Sequence, residues 1–365
     1  MSYVLAFLGF VALIILHEFG HFAVAKAVGM RVERFSLFMG PLLVKFRRGE
    51  TEYGIGPFPL GGYVRITGMN PHEEIPPEVV PRAYYNQPVW KRIVVILAGP
   101  AMNLLIAFVI VWALIMSTGE LATTSAGQPV LNKDVAAVAA NSPAAAALRP
   151  GDQIVSVDGV SGSVEAIRRQ IGTHRCAGAQ VNNCQAATPA QVVVRRDGRL
   201  VTLQIRPRYV AADKRHELGF SFGQVTQPVG ALHAASLTGS ELWSVTTRTV
   251  STVARIFEPQ ERKQLHSIVY GYTATQESFA TSTTQALWVL ALISLSLAII
   301  NLFPFLPLDG GHVFWAVAEK LRGKRIPFEV MERAGVVGFV LILMIFVIGL
   351  SNDISTLSGP GIGLR

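Results

Sequence analysis

Two histidines and a glutamate stand close together in an apolar stretch near the start of the chain, in the run His17-Glu18-Phe19-Gly20-His21. An offset of four residues puts both imidazoles on one face of a helix, one turn apart, where a single zinc ion can bridge them. Glu18 then stands beside the metal, where it can accept a proton from an attacking water molecule. Ionisable side chains in an apolar span are costly unless they bind something. The alternative interpretation is a buried polar cluster that joins helices.

Two histidines leave a zinc site one protein ligand short of the usual three. The best candidate for the third ligand is Asp309, in the run NLFPFLPLDGG that follows a later apolar stretch. Pro304 and Pro307 end regular helix there, and Gly310-Gly311 allow a tight turn that can bring the carboxylate inward. The alternative for Asp309 is a plain helix cap or turn residue. His312 lies three residues further on and is a candidate neighbour of the site.

The composition is that of a membrane protein. Half of the residues are hydrophobic and only 15% are charged, against about 25% in soluble domains. Four apolar runs are candidates to span a bilayer core, and they are Tyr3 to about Val28, Ile93 to Met116, Ala286 to Leu308 and Gly335 to Leu350. The fourth is short, but about 17 residues can span the core if the helix is upright. The sequence therefore predicts a polytopic α-helical membrane protein with about four transmembrane helices and a polar insert.

Basic residues near the ends of the runs predict the orientation of the chain. Lys and Arg are concentrated in the segments between the first two runs and between the last two, whereas the outer flanks of the second and third runs contain only Lys133. By the positive-inside rule both basic segments are cytoplasmic, and the long middle section and both termini lie outside. The three candidate ligands then share the cytoplasmic half of the membrane. No patch of basic residues interleaved with aromatics accompanies the net charge of +8, so we expect no nucleic-acid partner.

The cytoplasmic segment contains a glycine-rich, aromatic and almost uncharged stretch from Tyr53 to Val64. Paired short strands that dip into the membrane face would suit it, since irregular backbone there must be covered by protein. An ordinary cytoplasmic hairpin is the alternative. Gly20 and Gly40 are candidates for leaving room for water to reach the metal.

The polar middle section predicts a compact α+β domain. Strands are expected at 130–138, 154–157, 191–195 and 200–205, with an alanine-rich helix opening at Ser142-Pro143 and a second helix over Ser163 to Ile171. Cys176 and Cys184 lie in an apparent insertion from Thr173 to Pro189, and a disulfide and two unpaired thiols are equally compatible with their positions. An amphipathic helix is expected over Pro228 to Phe257.

The HExxH motif in a first span, paired with NxxPxxPLDGG in a later one, resembles the signature of site-2 proteases. The resemblance extends to Gly99-Pro100-Ala101-Met102-Asn103, to the PLGGYVRITGM stretch and to the run FRRGETEYG, which is most similar to actinobacterial members. The middle section, through SPAAAALRPGDQIVSVDG and VVVRRDGRLVTLQI, resembles a circularly permuted PDZ domain. The resulting segments are the first transmembrane helix (1–30), a cytoplasmic-face segment with a membrane-associated β element (31–91), the second transmembrane helix (92–117), one extracytoplasmic PDZ-like domain (125–210), an extracytoplasmic amphipathic helical segment (211–284), the third transmembrane helix with a cytoplasmic loop (285–332) and the fourth (333–351).

The resemblance implies roles for particular residues. His17, His21 and Asp309 would bind Zn²⁺, and Glu18 would be the general base of a peptide hydrolysis. Asn301 is expected to hold the substrate or the developing oxyanion. Further candidates for substrate contact are Asn103, Gly61 and Gly62.

The resemblance also implies partners and a location. The substrates would be single-span membrane proteins, cut in the cell membrane after a first protease has acted on them, and the PDZ-like domain would filter or recruit them. Two rival functions are a membrane scaffold and a zinc transporter. Buried ionisable residues argue against a scaffold, because a membrane anchor does not need them. A transporter would require polar residues along several spans, whereas the polar residues of these spans are grouped at one depth.

Overall fold

The chain forms two compact units in a computed structural model that describes residues 1–59, 61–69, 73–124, 127–255, 258, 260 and 266–358. Residues 1–116 and the described residues from 230 onward form a mainly helical unit, and residues 117–229 form a β-rich unit. Ile256 and Phe257, at the end of the amphipathic helix predicted over Pro228 to Phe257, lie outside the described residues.

Four described helices are long and apolar enough to cross a membrane. They are α1 (Ser2–Ala27), α2 (Val89–Thr118), α6 (Thr283–Asn301) and α8 (Phe328–Ser358). The sequence predicted the four spans, but two of them have other bounds. Helix α6 ends at Asn301 and not at Leu308, since the two prolines beyond it lack the amide hydrogens of a continuing helix. Helix α8 is longer than the apolar run because polar residues extend it at both ends.

Three further helices complete the helical unit as described, namely α4 (Ala231–Ala254), α5 (Ile268–Thr281) and α7 (Asp309–Arg322). Helix α4 is close to the amphipathic helix expected from the sequence. Its apolar face inserts Leu242 into a core that α2 and α6 share through Val111 and Leu295. Helix α5 is tied to the start of α1, because the Tyr272 hydroxyl donates a hydrogen bond to the Tyr3 carbonyl oxygen.

A four-stranded sheet follows α1 and packs beside it. Its strands are β1 (Val32–Leu37), β2 (Val44–Arg48), β3 (Thr51–Ile55) and β4 (Tyr63–Ile66), in the order β2-β3-β1-β4. The expected pairing within 53–64 is wrong in one respect: β3 and β4 do not pair with each other. Both pair with β1, β3 in parallel and β4 antiparallel. Strand β4 is consequently an edge strand of this sheet.

The β-rich unit is built on a five-stranded antiparallel sheet in the order β12-β6-β7-β8-β9. Its elements are β6 (Leu131–Val138), β7 (Gln153–Val157), α3 (Val164–Gly172), β8 (Ala190–Arg196), β9 (Arg199–Ile205) and β12 (Phe220–Gln224). Short pairs are formed by β10 (Arg208–Val210) with β11 (Arg215–Glu217) and by β5 (Glu120–Leu121) with β13 (Thr226–Gln227). Ile154, Ile167 and Val192 are fully buried in its core.

Two sequence predictions for this unit are corrected. The segment 211–229, assigned to a helical region, contains strands, because β12 completes the sheet by pairing with β6. The alanine-rich helix at Ser142-Pro143 is a series of turns. The Ala144 amide donates to the distant Leu218 carbonyl oxygen, while the amides of Ala145, Ala147 and Leu148 bond within the turns. Helix propensity yields to this tertiary contact.

The structure joins Cys176 and Cys184 by a disulfide, with a Cα–Cα separation of 6.0 Å. Of the two alternatives left open by the sequence, the structure therefore has the paired cysteines. The loop that they close packs on the β10–β11 hairpin, since the Tyr209 amide donates to the Cys184 carbonyl oxygen and the Asn183 amide to that of Tyr209.

A buried ion pair fixes the turn that enters β7. The Asp152 carboxylate, only 2% exposed, accepts two hydrogen bonds of 2.7 Å from the Arg196 guanidinium and one of 2.8 Å from the Arg149 amide. The bonds from Arg196 hold the pKa of Asp152 below its ordinary value. Because the pKa is depressed in the folded state, this stabilisation is present above the unfolded pKa of about 3.9 and is lost as the pH falls through the lower folded value.

We predict that Arg196→Met destabilises the β-rich unit by about 3–5 kcal/mol at neutral pH, because it leaves a buried carboxylate without its partner. Limited proteolysis of the whole protein in detergent, scored for cuts within 117–229, measures the effect. The neighbouring Arg195→Met, on an exposed position of the same strand, is the matched control and should leave the protection unchanged. Equal protection in both variants at neutral pH would contradict the role of the ion pair.

Candidate metal centre

His17 and His21 meet at one point of helix α1, as their spacing predicts. Both lie in the regular helix Ser2–Ala27, and their Nε2 atoms are 3.3 Å apart. Their rings are nearly perpendicular, with centroids separated by 5.0 Å. Two imidazole lone pairs are thereby directed at a common volume on one helix face.

Asp309 reaches the same volume from a distant part of the chain. Its Oδ2 lies 3.3 Å from His17 Nε2 and 3.4 Å from His21 Nε2. The three atoms form a nearly equilateral triangle. Ligands of a tetrahedral zinc ion at about 2.0–2.1 Å lie about 3.3–3.4 Å apart, so the triangle has the size of one face of such a tetrahedron.

The Asp309 oxygen also needs a partner. Oδ2 is buried and makes no hydrogen bond to any described residue. Buried polar atoms are rarely left unpaired, and a charged one is especially costly. Two neutral imidazoles and a carboxylate are the donor set of many zinc sites. The residues therefore fit a zinc ion with three protein ligands and an open position for chemistry.

Close backbone contact, not a tight turn, brings Asp309 inward. Asp309 is the first residue of α7, and both following glycines are within that helix. A Cβ on Gly310 would lie 2.3 Å from the Leu302 carbonyl oxygen, and one on Gly311 would lie 2.5 Å from the Leu306 amide nitrogen. Only glycine lets α7 pack this closely on the proline-containing segment before it, which corrects the turn expected from the sequence.

Helix α2 supports the two histidines from behind. The Nδ1–H of His21 donates a 2.8 Å hydrogen bond to the Val95 carbonyl oxygen. The amide of Asn103 lies with Nδ2 3.1 Å from His17 Nδ1. Asn103 is 1% exposed. Its side chain thus lies against a candidate ligand, while Asn103 also lines the cavity beside the site, so its contact with substrate stays a prediction.

Gly99 is a functional residue whose role the sequence did not reveal. A Cβ at this position would lie 2.2 Å from His21 Nε2 and 2.8 Å from His17 Cε1. Gly20 makes the reciprocal contact from α1, where a Cβ would lie 2.4 Å from the Ala98 carbonyl oxygen. Gly20 therefore allows α1 and α2 to touch, and the expectation that it leaves room for water is wrong. Similarly, a Cβ on Gly40 would lie 2.9 Å from the Phe58 ring.

Glu18 and the three ligand residues line one cavity of about 530 Å³. Strand β4 and the residues that lead into it form another wall, and a Cβ on Gly62, just before the strand, would lie 2.9 Å from Glu18 Cγ. Val64 of β4 lines the same cavity as Glu18. Glu18 consequently lies between the triangle of ligand atoms and the edge of the sheet.

Other predicted residues line the same cavity. The structure places Asn301, Gly61, Gly62 and His312 on its walls. Gly61 has a φ of +146°, a conformation that favours glycine. His312 is not among the three residues that converge on the metal position. The structure thus brings the predicted ligands, base and wall residues together around one cavity, and their roles stay predictions.

Comparisons with known proteins agree with this geometry. The model of peptidase family M50 matches residues 5–345. A putative zinc metalloprotease of Nostoc sp. is 33% identical over 94% of this chain and 93% of its own length. Zinc metalloprotease Rip1 of Mycobacterium bovis is 32% identical over 84% of this chain and 83% of its own length. A putative zinc metalloprotease of Clostridium acetobutylicum is 27% identical over 96% of both.

The matches cover nearly the whole chain and include both parts of the metal centre, the helix with His17 and His21 and the later segment with Asp309. The resemblance inferred from the paired motifs is confirmed. The chain belongs to peptidase family M50, the site-2 protease family, and is a metalloendopeptidase with zinc as its cofactor.

Proposed function

We propose that this enzyme hydrolyses peptide bonds within the membrane-spanning segments of other proteins. The observation that carries the proposal is the depth of the metal centre along α1. His21 and His17 lie six and ten residues before the end of the helix at Ala27, which corresponds to about 9 and 15 Å at 1.5 Å per residue. A bilayer core is about 30 Å thick, so a centre at this depth lies inside it.

The chain's own residues supply the proton transfers of the proposed reaction. When bound, zinc supplies Lewis-acid chemistry, polarising a carbonyl group and acidifying water. Glu18 accepts the proton of the attacking water and returns it to the leaving amine. Asn301, on the cavity wall, holds the substrate or donates a hydrogen bond to the developing oxyanion.

Strand β4 is proposed to hold the substrate in an extended form. A substrate helix has its amides bonded internally, so its carbonyl groups are exposed to attack only after local unwinding. An edge strand can take up such a segment as a further strand. Gly62 lies against Glu18, so a chain added at this edge would lie next to the base.

The proposed orientation follows the basic residues. The segments between α1 and α2 and between α6 and α8 are assigned to the cytoplasm, and the termini and the β-rich unit to the outside. The metal centre then lies in the cytoplasmic half of the cell membrane. Many apolar side chains of α8, such as Val336, Phe339 and Val340, are exposed and suit contact with lipid.

The substrates are proposed to be single-span membrane proteins that have already lost an exterior domain to a first protease. Anti-sigma factors and remnant signal peptides are two such groups. Prior cutting leaves a new carboxyl terminus outside the membrane. The β-rich unit, which we propose to be a PDZ-like domain, would receive it.

A groove in the β-rich unit favours the proposal that this unit recruits substrates over the alternative that it excludes those with a bulky exterior domain. Edge strand β12 and helix α3 line a small cavity of about 90 Å³, with apolar walls from Phe220 and Phe222. Arg168 lies over the Phe222 ring at 5.4 Å, and Arg215 lines the same cavity. Arg215 is ion-paired with Glu217 at 2.7 Å, so Arg168 is the guanidinium available to a ligand. A strand edge, an apolar recess and this guanidinium together suit an extended peptide that ends in a carboxylate.

Removing the proposed base tests the main reaction. We expect Glu18→Gln to lower cleavage of a tagged single-span substrate by roughly 10²–10⁴-fold, because the amide cannot accept the proton. The purified variant should retain its zinc, since Glu18 is not among the three ligands. Glu241→Gln, an exposed position of α4, is the matched control. Normal cleavage by Glu18→Gln would exclude the proposed mechanism.

Gly99→Ala tests the packing of the metal centre. We expect zinc affinity to fall by roughly 100-fold or more, since the added methyl group would collide with the His21 ring and misplace a ligand. Chelator competition with the purified protein measures the loss. Gly239→Ala, where a Cβ meets nothing within 4 Å, should bind zinc like the unmodified chain. Equal affinity in the two variants would refute the packing argument.

Charge reversal in the groove tests recruitment. We expect Arg168→Glu to weaken the binding of a peptide with a free carboxyl terminus by roughly tenfold or more, since a hydrogen bond to a charged group contributes about 1.5–3 kcal/mol. Fluorescence anisotropy with the whole protein in detergent measures it, and the amidated peptide should bind weakly to both proteins. Arg169→Glu is the neighbouring control. If both variants bound the peptide with the free carboxyl terminus equally well, the β-rich unit would be better explained as a filter that excludes bulky substrates.

A further inference from the structure

Each histidine that binds zinc through Nε2 must carry its remaining proton on Nδ1. That N–H needs an acceptor, which fixes both the tautomer and the orientation of the ring. For His21 the acceptor is unambiguous, because the Val95 carbonyl oxygen at 2.8 Å can only accept. The lone pair of His21 Nε2 is therefore free to face the metal position.

His17 has a different partner at the corresponding place. Its Nδ1 is 3.1 Å from the amide of Asn103, which the structure records with Nδ2 toward the ring. In that orientation the amide would donate to Nδ1, and the proton of His17 would have to sit on Nε2, where it would block the metal. Asn103 Oδ1 is at the same time buried without a hydrogen-bond partner among the described residues.

A half turn of the amide resolves both conflicts. It brings Oδ1 to the position beside His17 Nδ1 and gives that buried oxygen the donor it lacks. Two independent observations, the unpaired oxygen and the convergence of both Nε2 atoms on Asp309, favour the same orientation.

We infer that Asn103 is a positioning residue of the metal centre: its Oδ1 accepts the Nδ1–H of His17 and so keeps the His17 Nε2 lone pair directed at zinc. The inference rests on the zinc site of the proposed function, and it goes beyond the role in substrate contact expected from the sequence.

Contacts of α2 and α6 fix the position of the Asn103 amide relative to the His17 ring. Asn103 is one turn beyond Gly99 on α2, so the glycine that makes room for the rings and the amide that orients one of them share a helix face. The buried Ser294 hydroxyl of α6 donates a 2.8 Å hydrogen bond to the backbone carbonyl oxygen of Asn103. Helix α6 thereby fixes the backbone of α2 at the residue that carries the amide.

Two substitutions test whether Asn103 acts as a hydrogen-bond acceptor for His17 or only fills the space behind the ring. Asn103→Leu has a similar shape but no acceptor, and we expect its zinc affinity to fall 10–100-fold, the usual effect of removing an outer partner of a ligand. Asn103→Asp can only accept, so it forces the required tautomer and should keep zinc affinity within about threefold of the unmodified chain, well short of that loss. Chelator competition with zinc-free protein in detergent gives both values, and the visible spectrum of the cobalt-loaded protein reports whether the ligand geometry is kept.

Asn141→Leu is the control, since Asn141 is exposed and is not among the candidate ligands, and its zinc affinity should not change. Unchanged affinity in Asn103→Leu would overturn the inference. An equal loss of zinc affinity in Asn103→Asp and Asn103→Leu would also overturn it, because the amide group and not an acceptor oxygen would then be required. If Asn103→Leu fails to fold, Asn103→Ala takes its place in the same comparison.

Zinc affinity is measured without any substrate, so the inference and the proposed function fail separately. A chain that binds zinc as described but cuts no membrane segment would exclude the proposed function and leave the role of Asn103 standing.

Discussion

Two imidazoles and a carboxylate converge within 3.4 Å among helices apolar enough for a membrane, an arrangement that a bound cation would stabilise. Buried charge of this kind is tolerated when it is paired or binds a metal. The neighbouring elements are arranged to deliver the ligand atoms to one point. Helix α1 presents two of them, α2 supports them, and the segment before α7 turns back so that Asp309 supplies the third.

Close backbone contact is the means by which the helices meet at this point. Gly20 and Gly99 allow α1 and α2 to touch at the ligand rings, while Gly310 and Gly311 allow α7 to lie on the preceding loop. Without water to drive apolar surfaces together, helices in a bilayer associate through close packing at small residues. The same glycines therefore serve stability and chemistry, since a side chain at Gly99 would occupy the space of the rings.

The predictable part of the site is the part with local periodicity or a distinctive residue type. The helical offset between His17 and His21 and the carboxylate of Asp309 after a proline-rich helix end were sufficient to predict three residues that the structure brings together. The role of Asn103 could not be predicted, because it depends on a contact 86 positions away in the chain. The fold shows the same limit. The spans follow from hydropathy, whereas the pairing of β3 and β4 with β1, and the turns in place of an alanine-rich helix, depend on distant partners.

We propose that the position of β4 links capture of the substrate to its chemistry. The strand lies at the edge of its sheet, and Gly62 within the segment leading into it contacts the base, so a segment that pairs with this edge is brought beside Glu18 in an extended form. A substrate that stays helical satisfies its own amides and gains nothing from the edge. In the proposed reaction, selectivity then comes from the ease of unwinding as well as from side-chain recognition. Residues that weaken a transmembrane helix, glycine and proline among them, would mark where cutting occurs.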